Sequence, residues 1–395
     1  MTPFSCALIG SESLLIGCAE ALLARGHSIR AVVSEDPEIR AWAADKGLTT
    51  LDSQHDLQGG FDWLLSIANL TVIPDEVLAQ AAKGAVNFHD GPLPAYAGLN
   101  TPNWALINGE AQHGITWHLI EGGVDEGDIL AQRMFDVAGD ETAFSLNSKC
   151  YAAAMDSFGE VMAQLESGAL NRQPQDLSQR RVFAKSDRPA AGGLLDFSRP
   201  AEELARLVRA LDTGGYWNPL ALPKIETARG VYAVAAIEPA PGSGAPGTVL
   251  VGGDAPVVAC ADGALKLTLT CLGGLPVTDV AASGEVLLVP PASLTDAMAR
   301  VTPGEGRWRK ELGAYSASEL ATKGAGTGRM ECAIPGLSAA RAVAILSAYV
   351  AGSWAYRGTA TAQAHAAEDW HFTRHLNFGT DETFEIDPVF DQILT

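Results

Sequence analysis

The chain has 395 residues, 47% of them apolar and 19% charged, and its 47 Asp and Glu against 27 Lys and Arg leave a net charge of −20. That length accommodates two or three domains with ordinary hydrophobic cores. The acidity is a poor match for a large polyphosphate partner and weighs against tRNA, although a local basic patch can persist within an acidic whole.

Residues 4–9 read as a buried strand. Gly10-Ser11-Glu12-Ser13 turns it into a helix over 14–25 that ends at Gly26-His27, and residues 28–33 read as the next strand. This is a β-α-β unit of a parallel sheet. Its turn has one glycine rather than GxGxxG, so a dinucleotide fingerprint is absent. A helix follows over 37–46, a strand over 63–67, a helix over 73–82 that starts at Ile73-Pro74-Asp75-Glu76, and a short strand over 85–89. Gly91, Pro92, Pro94 and Gly98 mark 91–100 as a constrained loop. A short helix over 103–108 and a strand over 114–120 come next. Alternation along that strand puts Ile115, Trp117 and Leu119 on one face and Thr116 and His118 on the other. Trp104 and Trp117 read as core residues. A long helix covers 143–166, residues 173–193 form a polar, turn-rich connection, and 201–210 is helical by spacing. Residues 230–289 are β-rich. These patterns predict an α/β domain with a Rossmann-like, mostly parallel sheet over 1–190. A small β domain over 191–292 and a helical C-terminal extension over 293–395 follow it.

The six cysteines (Cys6, Cys18, Cys150, Cys260, Cys271, Cys332) show no paired spacing. They fit buried thiols in a reduced, cytoplasmic protein. The N-terminus lacks the basic n-region of a secretory signal. The longest uncharged apolar stretch, 342–356 between Arg341 and Arg357, is too short to span a bilayer comfortably and reads as a buried helix.

The chemistry is concentrated in Asn87-Phe88-His89-Asp90-Gly91-Pro92-Leu93-Pro94 and, further on, Gly123-Val124-Asp125-Glu126-Gly127-Asp128. An amide, an imidazole and a carboxylate at strand ends suit acyl transfer to an amine. Asn87 can meet a developing oxyanion, His89 can move a proton, and Asp125 can hold the imidazole's tautomer. Singly, each has a plain structural reading: a turn asparagine, a packed histidine, an Asx-turn aspartate. The combination points to catalysis. His89, Asp90, His113, His118 and Asp125 match no zinc-ligand spacing, so no metal is expected.

Asn87, His89, Leu93-Pro94 and Asp125-Glu126-Gly127, in order with Gly98-Leu99-Asn100, Trp104, Asn108-Gly109-Glu110 and Gly114-Ile115-Thr116, resemble the hydroxymethyl/formyl transferase family that uses 10-formyltetrahydrofolate. The β-rich region, through Ala245-Pro246-Gly247-Thr248-Val249 and Ala261-Asp262-Gly263-Ala264-Leu265, resembles the OB-like β-barrel domain of methionyl-tRNA formyltransferases. The resemblance implies catalysis by Asn87, His89 and Asp125. It also implies folate binding along Thr71, Val72 and Ile73 and along Glu121, Gly122, Gly123 and Val124. Asp90, His118 and Leu99 are the candidate acceptor-side residues. Two departures stand out: Asp90 replaces the usual small residue or proline, and no Arg follows Leu93-Pro94-Ala95-Tyr96. Gly306-Arg307-Trp308-Arg309-Lys310-Glu311-Leu312 and a helix over 340–354 resemble the opening of condensation domains of nonribosomal peptide synthetases. The expected acceptor is therefore an aminoacyl group on a carrier protein, or a small amine. Methionyl-tRNA formylation, hydrolysis of formyl-folate or formyl-CoA, and a non-catalytic docking module are the alternatives.

Overall fold

Strand β1 (Ser5–Ile9) suits the interior of a seven-stranded sheet because Cys6, Ala7 and Leu8 are apolar on both faces and fully buried. The computed structural model describes residues 2–272, 276–304, 358–365 and 371–378. The chain divides into two compact units, 1–303 and 304–395. In the first, α1 (Ser13–Ala24), β2 (Ser28–Val33), α2 (Pro37–Asp45), β3 (Thr50–Leu51), β4 (Phe61–Ser66), α3 (Asp75–Leu78) and β5 (Ala81–His89) follow β1. Asp36 caps α2 by accepting from the Glu38 and Ile39 amides, with Pro37 in the first turn. Then come β6 (Ala97–Gly98), α4 (Thr101–Asn108), β7 (Gln112–Leu119), β8 (Ile129–Asp136), the long helix α5 (Ala143–Ser167) and β9 (Val182–Phe183). A reciprocal Thr142/Ser145 capping box starts α5, and Gly168, at φ 70°, ends it.

The sheet order is β3-β2-β1-β4-β5-β7-β8. The first five strands in that order run parallel, β7 runs against them, and β8, antiparallel to β7, returns to their direction. The mostly parallel α/β sheet is thus as expected. The helix expected over 73–82 is not: α3 is a single turn, and β5 begins at Ala81. Ala81, Ala82 and Lys83 favour helix locally, but pairing of Phe61 with Ala81 and of Trp63 with Gly84 satisfies the backbone in the sheet instead. Strands β3 and β8 and the β6–β9 pair were also outside the sequence expectation.

Helix α6 (Ala201–Ala210) leads into a second sheet of β10 (Lys224–Thr227), β11 (Gly230–Ala240), β12 (Val249–Val251), β13 (Val257–Cys260) and β14 (Gly263–Thr270). Its order is β10-β11-β14-β13-β12, all antiparallel. Among the described residues no pairing joins the two edges. Leu204 and Val208 of α6 pack with Ile225, Tyr232, Val258 and Leu267 in a separate apolar core. Helix α7 (Ala292–Val301) spans the expected boundary at 292/293. It packs back on residues 190–193, where Thr295 Oγ1 accepts from the Ala191 amide.

In the second unit the described residues are an antiparallel ribbon, β15 (Gly358–His365) with β16 (His371–Phe378). The extension expected to be helical over 293–395 is thus helical in α7 but β over 358–365 and 371–378, as the two-residue alternation of Thr and Ala over 359–362 allows. The condensation-like segment at 306–312, the helix over 340–354 and Cys332 lie outside the described residues. Of the other cysteines, Cys6, Cys18, Cys150 and Cys260 are buried free thiols and Cys271 is exposed. Among the described residues no helix is long and apolar enough to cross a membrane.

Candidate active site

Strands β5 and β7 pair in the register Asn87↔His118 and His89↔Thr116. Alternation sends Val86, Phe88, Ile115, Trp117 and Leu119 to one face, where they join α1 and α5 in the main core. Asn87, His89, Thr116 and His118 share the other face. Asn87 Nδ2 lies 3.2 Å from His118 Nε2. His118 Nδ1 lies 2.8 Å from the Leu119 carbonyl. A carbonyl only accepts, so Nδ1 carries a proton, and Nε2 is the nitrogen that faces the Asn87 carboxamide and Asp125. The Asn87 carboxamide is thereby held in place, with its second N–H still to donate.

His89 is anchored differently from the sequence expectation. Its Nε2 lies 2.6 Å from the Tyr96 carbonyl, so Nε2–H donates there and Nδ1 is the nitrogen left to take up a proton. Asp125 Oδ2 is 3.8 Å from that Nδ1, beyond hydrogen-bond reach. The tautomer is therefore set by the Tyr96 backbone rather than by Asp125. Gly91 permits the approach: a Cβ there would sit 2.5 Å from the Tyr96 oxygen and 2.9 Å from His89 Nε2.

Asp125 accepts from the Gly98 amide at 2.8 Å and lies 3.5 Å from His118 Nε2. Burial opposes its charge, but His89, His118 and the Gly98 amide outweigh burial and hold its carboxyl well below the usual range. Gly98 has φ +95°, and a Cβ there would meet the Phe183 carbonyl at 2.2 Å, so glycine alone can present this amide. Asp125 itself sits at φ 58°. The segment after α5 braces it: Gln175 Nε2 donates to the Asp125 and Gly127 carbonyls at 2.9 and 2.7 Å, and Arg180 donates to the Val124 carbonyl at 2.7 Å.

The remaining expected residues divide. Asp90 lies beside His89, with Oδ1 3.9 Å from Nδ1. Leu99 is half-buried and its amide is taken by the Phe183 carbonyl, which leaves that group no role toward an acceptor. Ser66 at the end of β4 pairs with Asn87, so residues 67–74 leave the sheet one strand away from the site. There Thr71 is exposed with its amide on Asn69 Oδ1, Val72 is 69% exposed, and Ile73 is buried in the secondary core. In the other loop Glu121 pairs with Arg172 at 2.6 Å, Gly122 has φ +70°, the Gly123 amide donates to Glu126, and Val124 is exposed. Among the described residues no cluster of three or more potential ligands is placed to hold a metal.

Sequence reasoning missed the Tyr96 carbonyl, the Gly98 amide, Gln175 and Arg180. The first two are backbone groups without a side-chain signature, and the last two act across about 50 residues of chain. It also found no cation near Tyr96. Arg181 supplies one from far along the chain, with its guanidinium 4.7 Å over the Tyr96 ring, but Glu110 neutralises it at 3.1 Å.

The sheet and its site-bearing loops define a formyltransferase fold. Residues 56–162, which include Asn87, His89, His118 and Asp125, match the family model described as formyl transferase. Three solved structures share the fold. The N-formyltransferase of Helicobacter canadensis, solved with folinic acid and dTDP-3-aminofucose, is 16% identical over 68% of this chain and 100% of its own, with a TM-score of 0.56. WlaRD, a sugar 3N-formyltransferase solved with dTDP and 5-N-formyl-THF, is 17% identical over 70% of this chain and 100% of its own, with a TM-score of 0.55. A 4-N formyltransferase of Francisella tularensis is 16% identical over 59% of this chain and 98% of its own, with a TM-score of 0.50.

Proposed function

We propose that the protein is an N-formyltransferase that moves the formyl group of 10-formyltetrahydrofolate to a primary amine, the amine of an aminoacyl group on a synthetase carrier protein. The observation that carries this reading is the gathering of Asn87, His89, His118 and Asp125 on one face of β5 and β7, linked by contacts of 3.2–3.8 Å. Asn87's free N–H is available to the formyl oxygen as it gains negative charge. One such donor supplies about 2.7–4 kcal/mol of transition-state stabilisation. His89 Nδ1 moves the proton, and Asp125 keeps a negative charge beside the imidazolium that forms.

The acceptor ammonium gives one proton to His89, and the neutral amine bonds to the formyl carbon. The donor's N–C(formyl) bond breaks as its nitrogen takes the proton from His89. The amine nitrogen then releases its extra proton to solvent. The products are a formamide, the reduced folate and one proton.

The residues fit the donor. Exposed Leu70, Val72 and Val124 offer apolar surface on two loops beside the site, and Gly122 and Gly123 allow close backbone approach to a flat ring. Two features favour an acceptor without a phosphate anchor: the net charge of −20, and the neutralised Arg181 at the Tyr96 loop. We assign 1–190 to catalysis, 191–292 to an OB-like domain on the strength of its five antiparallel strands, and 293–395 to an extension. The buried free thiols favour a cytoplasmic location.

The test mixes the protein and 10-formyltetrahydrofolate with aminoacylated carrier protein, initiator tRNA or a dTDP-linked amino sugar in parallel. Tetrahydrofolate release and the mass gain of one formyl group are followed. Formylation of the carrier-bound amine is the expected outcome. Release without any amine indicates a hydrolase, and no release with any acceptor indicates a docking module.

A further inference from the structure

We infer that the acceptor enters this site as an ammonium ion seated among Asp90, Asp125 and His89, which makes Asp90 a specificity residue for protonated primary amines. The inference rests on the formyl-transfer reading above and deepens it to the charge state of the acceptor.

With His89 Nδ1 unprotonated, the state needed to take a proton from the acceptor, three hydrogen-bond acceptors face one another. His89 Nε2–H is spent on the Tyr96 carbonyl, so whenever Nδ1 carries no proton its lone pair faces Asp90 Oδ1 at 3.9 Å and Asp125 Oδ2 at 3.8 Å. Both separations exceed a hydrogen bond, yet a single nitrogen can lie within about 3 Å of both ends of each. An alkylammonium brings three N–H donors and no acceptor, which matches this set one for one. A neutral hydroxyl brings one donor and leaves two acceptors facing each other.

The surroundings keep the site negative. No Lys or Arg pairs with Asp90 or Asp125 among the described residues, whereas Arg172, Arg180 and Arg181 are engaged by Glu121 and Asp128, by Glu126 and by Glu110. The groups facing His89 are Asp90 from its own strand end, Asp125 from the loop after β7, and His118 from β7, whose ring lies 6.4 Å away. His113 bonds the Asp90 carbonyl rather than its carboxylate.

Asp90 is also placed for selection. Thr101 Oγ1 donates to its carbonyl at 2.7 Å and lies 3.1 Å from Oδ1, which fixes the side chain. The Asp90 side chain is 29% exposed, against 9% for Asp125 and 5% for His89. It is therefore the most accessible of the three groups. The third ammonium proton then points at Nδ1, the atom that must remove it before the nitrogen can attack.

Asp90→Asn and Asp90→Ser test the assignment, with L-valinamide and a dTDP-linked 3-amino sugar as probe acceptors. Kinetics are measured near pH 6.5 and near pH 9, on either side of the amine's ordinary titration. At the lower pH the acceptor KM should rise about 10–100-fold in both variants, the range expected for losing a hydrogen bond to a charged group. The donor KM and folinic acid binding should stay at wild-type values, and the penalty should shrink at the higher pH, where the amines are neutral. An acceptor KM equal to wild type at both pH values overturns the inference, as does a loss confined to kcat. Failure of the wild type to formylate either probe while still binding folinic acid also overturns it. Failure to bind folinic acid overturns the formyl-transfer reading instead.

Discussion

The two faces of β5 and β7 are built by alternate residues of the same strands, yet they obey different rules. On one face Val86, Phe88, Ile115, Trp117 and Leu119 are 0–4% exposed and pack on helices. Even the Trp117 indole N–H is satisfied there, by Ser157 at 3.0 Å. On the other face Asn87, His89, Thr116 and His118 each bond a neighbour, but Asn87 and His89 keep one donor or lone pair uncommitted. The first face stores stability, and the second stores unspent hydrogen-bonding capacity at defined positions. The lesson is that a sheet strand can carry both, because its period of two separates packing from chemistry by a single residue.

Substitutions one residue apart should break the two properties separately. His89→Gln should lower kcat/KM about 10²–10⁴-fold with little change in Tm. Phe88→Ala should do the reverse, costing about 3–5 kcal/mol in chemical denaturation while the folded fraction keeps near wild-type turnover. If both variants lost stability and activity together, the faces would not be independent. His118→Ala should leave Asn87 unanchored and reduce kcat about tenfold, the equivalent of one modest hydrogen bond, with the donor KM steady. Gln175→Ala removes two bonds to the Asp125 loop. It should cost about 1 kcal/mol and raise hydrogen exchange in residues 122–127.

The smallest effect concerns pH. Asp125 is held below its ordinary titration range, so the stability it contributes is complete above about pH 4 and is lost as pH falls toward its folded value. The difference in urea midpoint between wild type and Asp125→Asn should therefore be constant at neutral pH and narrow only in acid.

Much of this was legible in the sequence. Ile115, Trp117 and Leu119 against Thr116 and His118 separated the faces of β7 from alternation alone, and the helix over 143–166 was recovered nearly to its caps. The gathering of positions 87, 89 and 125 was readable from an ordered motif. Its wiring was not, because the partner of His89 is a main-chain oxygen that any residue at 96 would offer. Ala81 to Lys83 misled for the opposite reason: local helix propensity was clear, and pairing with a strand 20 residues earlier overrode it. The link between Arg181 and Tyr96 lay beyond any local window.

The brace from Gln175 and Arg180 has a bearing on how this catalyst can be moved or trimmed. The family-matched segment ends at 162, ahead of both residues. A graft of that segment alone would transplant Asn87, His89, His118 and Asp125 and leave behind the buckle that holds the Asp125 turn, whose φ is 58°. The unit of inheritance for this chemistry is therefore longer than the stretch that names it, reaching at least to Phe183, whose carbonyl crowds Gly98.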